Sequence, residues 1–241
     1  MIMEERNIRR YDFDSGYASA GLTLNEYIAR TFGWMFAGLM VTFGVAVALC
    51  MSGLVIVLLQ IPYALVAVSI AEIAVVFVFS AGILKRSVAA TRMLFFAYAT
   101  LTGVVMSAYF LIFNVVNLIV IFGLTALFFG AFALYGRFTR TDLSRLRPLI
   151  LGGLIFLLIA GVLSLFVNFE PFERIICMAG IVIFLCFTAY DVQKIKANYE
   201  YFYGNDEILQ RASIFSALQL YLDFINLFLY LLRFLGRNNR R

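Results

Sequence analysis

Three carboxylates stand in or at the edge of stretches that otherwise carry almost no charge: Glu72, Asp191 and Asp223. Asp223 lies in Leu218-Gln-Leu-Tyr-Leu-Asp-Phe-Ile-Asn-Leu-Phe, near the middle of an apolar run from Ala212 to Leu235. That run is long enough to span a bilayer core, which takes about 20 residues. A central Asp in such a helix costs roughly 2.5–3.5 kcal/mol on insertion scales, so it is paired, wetted or used. Ser216, Gln219, Asp223, Asn226, Tyr230 and Arg233 recur at spacings of three or four, which gathers them on one helical face. Asp191, in Thr188-Ala-Tyr-Asp-Val-Gln-Lys194, sits at the end of the preceding apolar run, a few residues before its basic end. Glu72 stands roughly 13 Å into the second run at the helical rise per residue.

The chemistry open to these groups follows from desolvation and like charge. Taking a carboxyl group out of water favours its protonated form, and two that share a site can hold a single proton between them near neutral pH. Such a pair is a proton sensor. Once the proton is lost the two anions repel, or together attract a cation, and Ca²⁺ suits them because it takes oxygen ligands. Gln219, Asn226 and backbone carbonyls complete the shell only partly, which favours the weak, transient binding that permeation needs. On helical rise alone Asp223 lies about 8 Å deeper than Asp191, so contact between them needs a longitudinal offset of the two helices. Plainer roles stay open for each: Glu72 as an interhelical hydrogen-bonder, Asp191 as an interfacial partner of Lys194 or Lys196, Asp223 as a structural polar group.

The elements that must position these residues are helices in a membrane. The 241 residues are 63% hydrophobic and 14% charged, with mean hydropathy +0.95, far from the composition of a soluble domain. Seven apolar segments follow one another: Trp34 to Met51, Tyr63 to Leu84, Met93 to Phe113, Leu118 to Tyr135, Leu149 to Val167, Ile175 to Tyr190 and Ala212 to Leu235. Each is long enough to cross with some tilt or extension. None alternates polar and apolar residues as a barrel strand does, so an all-α integral membrane protein is expected. Asn25 to Arg30 reads as a short helical lead-in, with Tyr27 and Trp34 as interfacial aromatics. Residues 1–30 read as an N-terminal segment without a signal-peptide core, 31–236 as one membrane domain and 237–241 as a basic tail.

Lys and Arg in the connections set the orientation. Fourteen of them fall in the N-terminal region and in the second, fourth and sixth connections, and only Arg174 falls in the first, third and fifth. The N-terminus is therefore expected in the cytoplasm. Arg233, Arg237, Arg240 and Arg241 follow the last segment, which either crosses or re-enters; its length favours crossing. The sixth connection, Val192 to Arg211, reads as the one long loop. In the fourth, Asp142 or Ser144 can cap a helix that admits Pro148 in its first turn. Ala126 and Gly130, Gly152 and Gly153, or Gly161 offer close helix approaches.

Several classes are excluded. Histidine is absent, which removes Ser-His catalysis, His-based zinc sites and haem ligation by His. Cys50, Cys177 and Cys186 all lie in apolar runs and suggest neither disulfides nor a metal pair. No lysine follows Lys196, so the last helix holds no retinal-type Schiff base. The +5 net charge resides in short connections and reads as topology, with no nucleic-acid partner implied. An aspartyl protease stays formally open, as does a proton-coupled transporter, but Ala189-Tyr-Asp-Val has no Gly-rich motif beside the second aspartate. The expectation is a protein that is not an enzyme and holds no cofactor beyond a transient calcium ion.

Phe187-Thr-Ala-Tyr-Asp191-Val-Gln-Lys-Ile-Lys196 and Ala217-Leu-Gln-Leu-Tyr-Leu-Asp223-Phe-Ile-Asn226-Leu-Phe carry a specific resemblance to the Bax inhibitor motif family of membrane proteins. Glu72, Asp142-Leu-Ser144 and Leu231-Leu-Arg-Phe-Leu-Gly236 support it, and the likeness covers the chain after residue 20. It implies six helices around a central C-terminal seventh, acting as a pH-sensitive calcium leak channel. Asp191 and Asp223 then resemble the family's di-aspartyl pH sensor, and Glu72 its pore-side carboxylate. Spacing from Glu72 puts the family's latch arginine at Ile83, and a small insertion brings Lys85 or Arg86 into that place. The short chain resembles bacterial members, which implies the inner membrane. The partners implied are calcium, protons and the lipid bilayer. A reading of a different class is a membrane interaction protein that binds a partner such as a membrane-bound protease, with the carboxylates serving stability alone.

Overall fold

The computed structural model describes residues 22–81, 86–164 and 172–236, and among these there are helices and no strands. Helix α1 (Leu24–Met51) starts at a capping box. The Thr23 hydroxyl accepts the Glu26 N–H at 3.3 Å, and the Thr23 N–H donates to the Glu26 carboxylate at 2.9 Å. Two otherwise orphaned donors are thereby satisfied, so the expected lead-in is simply the first turns of α1. Gly53, at φ 72°, turns the chain into the short α2 (Leu54–Gln60). There follow α3 (Ala64–Ala81), α4 (Val88–Ile112) and α5 (Val115–Phe138). Ser87 caps α4 by accepting the Ala90 N–H, and Asn114 caps α5 by accepting that of Val116.

A 3₁₀ turn (Leu143–Leu146) leads into α6 (Arg147–Leu163), which carries Pro148 in its first turn. Asp142 caps the turn, accepting the Ser144 N–H at 2.9 Å. Bonds from the Ser144 hydroxyl and N–H hold the Asp142 carboxyl below its ordinary range. Helices α7 (Glu173–Phe202) and α8 (Asp206–Gly236) close the chain. Among the described residues seven helical stretches are long and apolar enough to cross a membrane, and each coincides with one of the expected segments.

One expectation needs correction at the C-terminal pair. Val192 to Arg211 is helical except for 203–205, because no Gly or Pro interrupts it before Gly204, at φ 88°. Polarity rises there while the backbone continues. The last segment is one unbroken helix of 31 residues, about 46 Å long at the helical rise, and its far end packs Gly236 against Phe113 at the end of α4. A re-entrant hairpin would have to break it, and the unbroken helix is long and apolar enough for the crossing that its length favours.

Helix α8 is the axis of the bundle: 67% of its apolar stretch is buried, against 6% for α3. Helices α7, α1, α5 and α4 pack directly on it. Helix α3 packs on α4 and reaches α8 with Phe79, whose ring stacks on Phe215 at 5.9 Å, while α6 packs on α7. The outward faces are apolar, as with Ile70, Phe77 and Leu158. Such a surface is stable against lipid tails and not against water. Tyr27 departs from its expected interfacial place: it is fully buried against Tyr199. Trp34 lies under the Arg92 guanidinium at 5.2 Å.

Of the glycines expected to mark close helix approaches, one does so. Gly130, Gly152 and Gly161 have open space beside them, and only Gly153 meets a neighbour, Ile183. The tightest approach is Gly136 of α5, where an added Cβ would overlap the Ala189 backbone of α7. That contact sets the height of α7 two residues before Asp191.

Candidate functional site

Asp191 is residue 19 of the 30 in α7, well inside the helix and not at its end. The shift of its place follows from the continuation of α7 to Phe202. α7 and α8 form an antiparallel pair joined at 203–205, and the pairing brings Asp223 within Coulombic reach of Asp191 and Lys194. Both carboxylates are buried, 6% and 5% exposed. Among the described residues Asp191 Oδ1 and Asp223 Oδ2 have no hydrogen-bond partner. Buried acceptors of this kind are costly unless a proton, cation or water meets them.

A cavity of about 170 Å³ opens beside Asp191, lined by Arg147 of α6, Tyr190 and Lys194 of α7 and Gln219 of α8. Arg147 was legible in the sequence only as a topology charge. Here it lines the same cavity as Asp191 and brings a positive charge to it. Asn226 follows Asp223 on the same face, but its Nδ2 donates to the Leu222 carbonyl at 2.8 Å within its own helix. Ser216 accepts from Asn198 of α7 at 3.3 Å, tying the two helices nearer the basic end.

Glu72 belongs elsewhere. It is half-buried on α3 and lies against Thr102 of α4, within electrostatic range of Tyr98 and Tyr221. Tyr221 is two residues from Asp223, about 200° around the helix, so α8 presents a second polar face toward α1, α3 and α4. The Tyr221 hydroxyl is 2.6 Å from that of Thr42. Thr42 has the Gly38 and Ala99 carbonyls at 3.1 and 2.9 Å, so its single proton is committed to a carbonyl and Tyr221 is the donor. This hydroxyl layer is not legible in the sequence, because Tyr and Thr at helical spacing look like core and their partners lie on other helices.

Of the two candidate latch residues, Lys85 lies outside the described residues. Arg86 is half-exposed, and it makes no ion pair with a carboxylate among the described residues. Between the two polar faces, Phe43 of α1, Phe122 and Phe129 of α5 and Phe224 and Phe228 of α8 form an edge-to-face cluster with centroids 4.7–6.4 Å apart. Rings in such contacts add about 0.5–1.5 kcal/mol per pair beyond area burial, so this block is dry and firm.

Residues 24–240 match the family model described as inhibitor of apoptosis-promoting Bax1. The chain is 39% identical over 220 residues to the inner membrane protein YbhL of Escherichia coli, covering 90% of this chain and 93% of that one. A Rickettsia prowazekii protein is 37% identical over 220 residues, covering 90% and 91%. A Borreliella burgdorferi protein is 34% identical over 217 residues, covering 90% and 94%. The seven long apolar helices, the C-terminal one at their axis, are thus those of an integral membrane protein that belongs to the Bax inhibitor motif family.

Proposed function

We propose that the protein is a pH-sensitive calcium leak channel of the Bax inhibitor motif type, in which Asp191 and Asp223 share a proton and control a cation path along α8. The observation that carries this reading is the meeting of two buried carboxylates from α7 and α8, each with an oxygen that has no hydrogen-bond partner among the described residues. With one proton between them the pair carries a single negative charge. Loss of that proton leaves two anions, which either separate or gain a cation. No third carboxylate, cysteine or histidine joins them among the described residues, so an ion held there lacks most of the six to eight oxygens that Ca²⁺ prefers, and leaves readily.

Lys194 and Arg147 supply competing positive charge from the basic end. The phenylalanine cluster lies toward the opposite end of α8 from them, with Phe228 more than a helical turn beyond Asp223. A conducting state has to loosen it. Glu72 of α3 and the hydroxyl layer give a second polar station on the other side of α8. The basic connections gather at one end, where Arg137 donates to Asn25 at 3.0 Å and the Tyr199 hydroxyl to the Leu22 carbonyl at 2.7 Å. By the positive-inside rule that end, with the N-terminus, is cytoplasmic, in a bacterial inner membrane.

Calcium entry into liposomes across pH 5 to 8, for the wild type and Asp223→Asn, tests the reading. Flux that titrates in the wild type and loses its pH dependence in the variant is expected. Folded preparations that leak no more than empty liposomes at any pH would reject the channel and favour a membrane interaction protein, for which the basic loops would be the docking surface for a partner such as a membrane-bound protease.

A further inference from the structure

One cavity lies apart from both polar faces of α8. At the basic end α1, α5, the 139–142 connection and α7 enclose an open space of about 510 Å³, to which Asn25, Arg137, Arg140, Asp142, Gln193 and Lys196 contribute polar side chains. Its walls are fixed. The Gln193 carboxamide accepts the Leu143 N–H at 2.9 Å and donates to the Thr141 carbonyl at 2.8 Å, which pins the connection to α7. Arg137 Nη2 donates to Asn25 Oδ1 at 3.0 Å, which pins the last turn of α5 to α1. Gly136, seated on Ala189, lines the same space.

The lining carries two carboxylates, Asp142 and Glu200, against three cations, Arg137, Arg140 and Lys196. Asp142 caps the 3₁₀ turn through Ser144, and Glu200 faces Lys196 at 3.9 Å. Arg140 makes no ion pair among the described residues, and Arg137 has further N–H donors beyond the one spent on Asn25. Two guanidinium groups three residues apart, at a walled cavity whose lining is net positive, are suited to a phosphate, whose oxygens accept paired N–H bonds.

The surroundings select among phosphates. Below the arginines the outward face of α5 is apolar and open: Leu134, Tyr135 and Phe138 are 59%, 53% and 72% exposed, and the Arg137 guanidinium lies 5.7 Å over the Phe138 ring. In a bilayer this face meets acyl chains while the arginines stand at headgroup level. We propose that the cavity binds the phosphodiester headgroup of an anionic phospholipid through Arg137 and Arg140, with its acyl chains running along Leu134 and Phe138. Helix α7 forms one wall and carries Asp191, so an occupied site braces α5 against the helix of the carboxylate pair.

The full chain in detergent, read by native mass spectrometry and thermal unfolding with phosphatidylglycerol, phosphatidylcholine or soluble glycerophosphate, tests this. Phosphatidylglycerol is expected to stay bound and raise the unfolding midpoint, while the other two do neither. Arg137→Gln and Arg140→Gln should each weaken phosphatidylglycerol about fivefold and together about twenty-five-fold. Arg145→Gln, outside the cavity, should leave binding unchanged. Arg137→Lys and Arg140→Lys keep the charge but not the fork; they should weaken binding less, and they serve if the glutamine variants do not fold. Equal retention of phosphatidylcholine, undiminished binding in the double variant, or glycerophosphate bound as tightly as the lipid would each overturn the proposal.

Discussion

The two sides of α8 hold polar groups in opposite ways. Toward α7 there are two buried carboxylates with oxygens that no described residue satisfies. Toward α1 and α4 there is a layer of neutral hydroxyls that satisfy one another, with Tyr221 donating to Thr42 and Thr42 to a backbone carbonyl, and a single carboxylate, Glu72, at its margin. The first side stores a demand for a proton or cation. The second has its hydrogen bonds closed and contributes to packing. One helix carries both because residues 221 and 223 point about 200° apart. The contrast teaches that depth alone does not make an intramembrane polar group functional; what matters is whether its neighbours complete it.

The largest effect should come from breaking the charged side. Asp223→Asn and Asp191→Asn should each abolish the pH dependence of calcium flux, and the double variant should lose no more than either one, because groups that share a proton act as a unit. Glu72→Gln, on the other side, should change flux amplitude while leaving its pH dependence in place. If Glu72→Gln removes the pH dependence and Asp223→Asn does not, the two sides have been assigned the wrong way round. Next in size is the spacing of α5 against α7. Gly136→Ala forces a methyl into the Ala189 backbone and should cost about 1–3 kcal/mol, the usual range for overpacking. Gly130→Ala, with open space beside it, should be neutral in the same thermal unfolding assay.

A smaller loss is expected on the closed side. Tyr221→Phe removes one buried hydroxyl donor and should cost about 0.5–1.5 kcal/mol of stability, with the flux titration unmoved. A shifted titration would show that the hydroxyl layer and the aspartates are coupled. Least of all is Asp142, an exposed cap at the rim of the basic cavity. Its carboxyl is held low by Ser144, so its stabilisation is complete above its ordinary pKa of 3.8 and fades as pH falls through the lower folded value. Asp142→Asn should therefore flatten the acid limb of a midpoint-against-pH curve and leave the rest in place.

Much of this could be read from residue types. The seven crossings are legible because each needs a long uncharged run, and Asp191 and Asp223 because a carboxylate in such a run is rare. The end of α7 was misplaced since a change from apolar to polar residues resembles a helix terminus, although only Gly204, with its left-handed backbone, stops the helix. Gly136 passed unnoticed beside Gly130, Gly152 and Gly161, because a glycine's use depends on what lies across from it. Tyr221 looked like one more core aromatic, its hydroxyl having no visible partner along the chain.

Hydrophobic length and composition by themselves determined that this chain is a helical membrane protein, with its basic connections on one side and its rare acids on the second, sixth and seventh crossings. Those properties are local, since backbone groups in lipid must be satisfied within each helix. Which acids meet was decided only by tertiary packing. The sliding of α7 along α8, set by the turn at 203–205 and the contact of Gly136 with Ala189, brings Asp191 to Asp223 and sends Glu72 to the opposite face. Register between helices depends on side chains far apart in sequence, and helical periodicity carries no information about it.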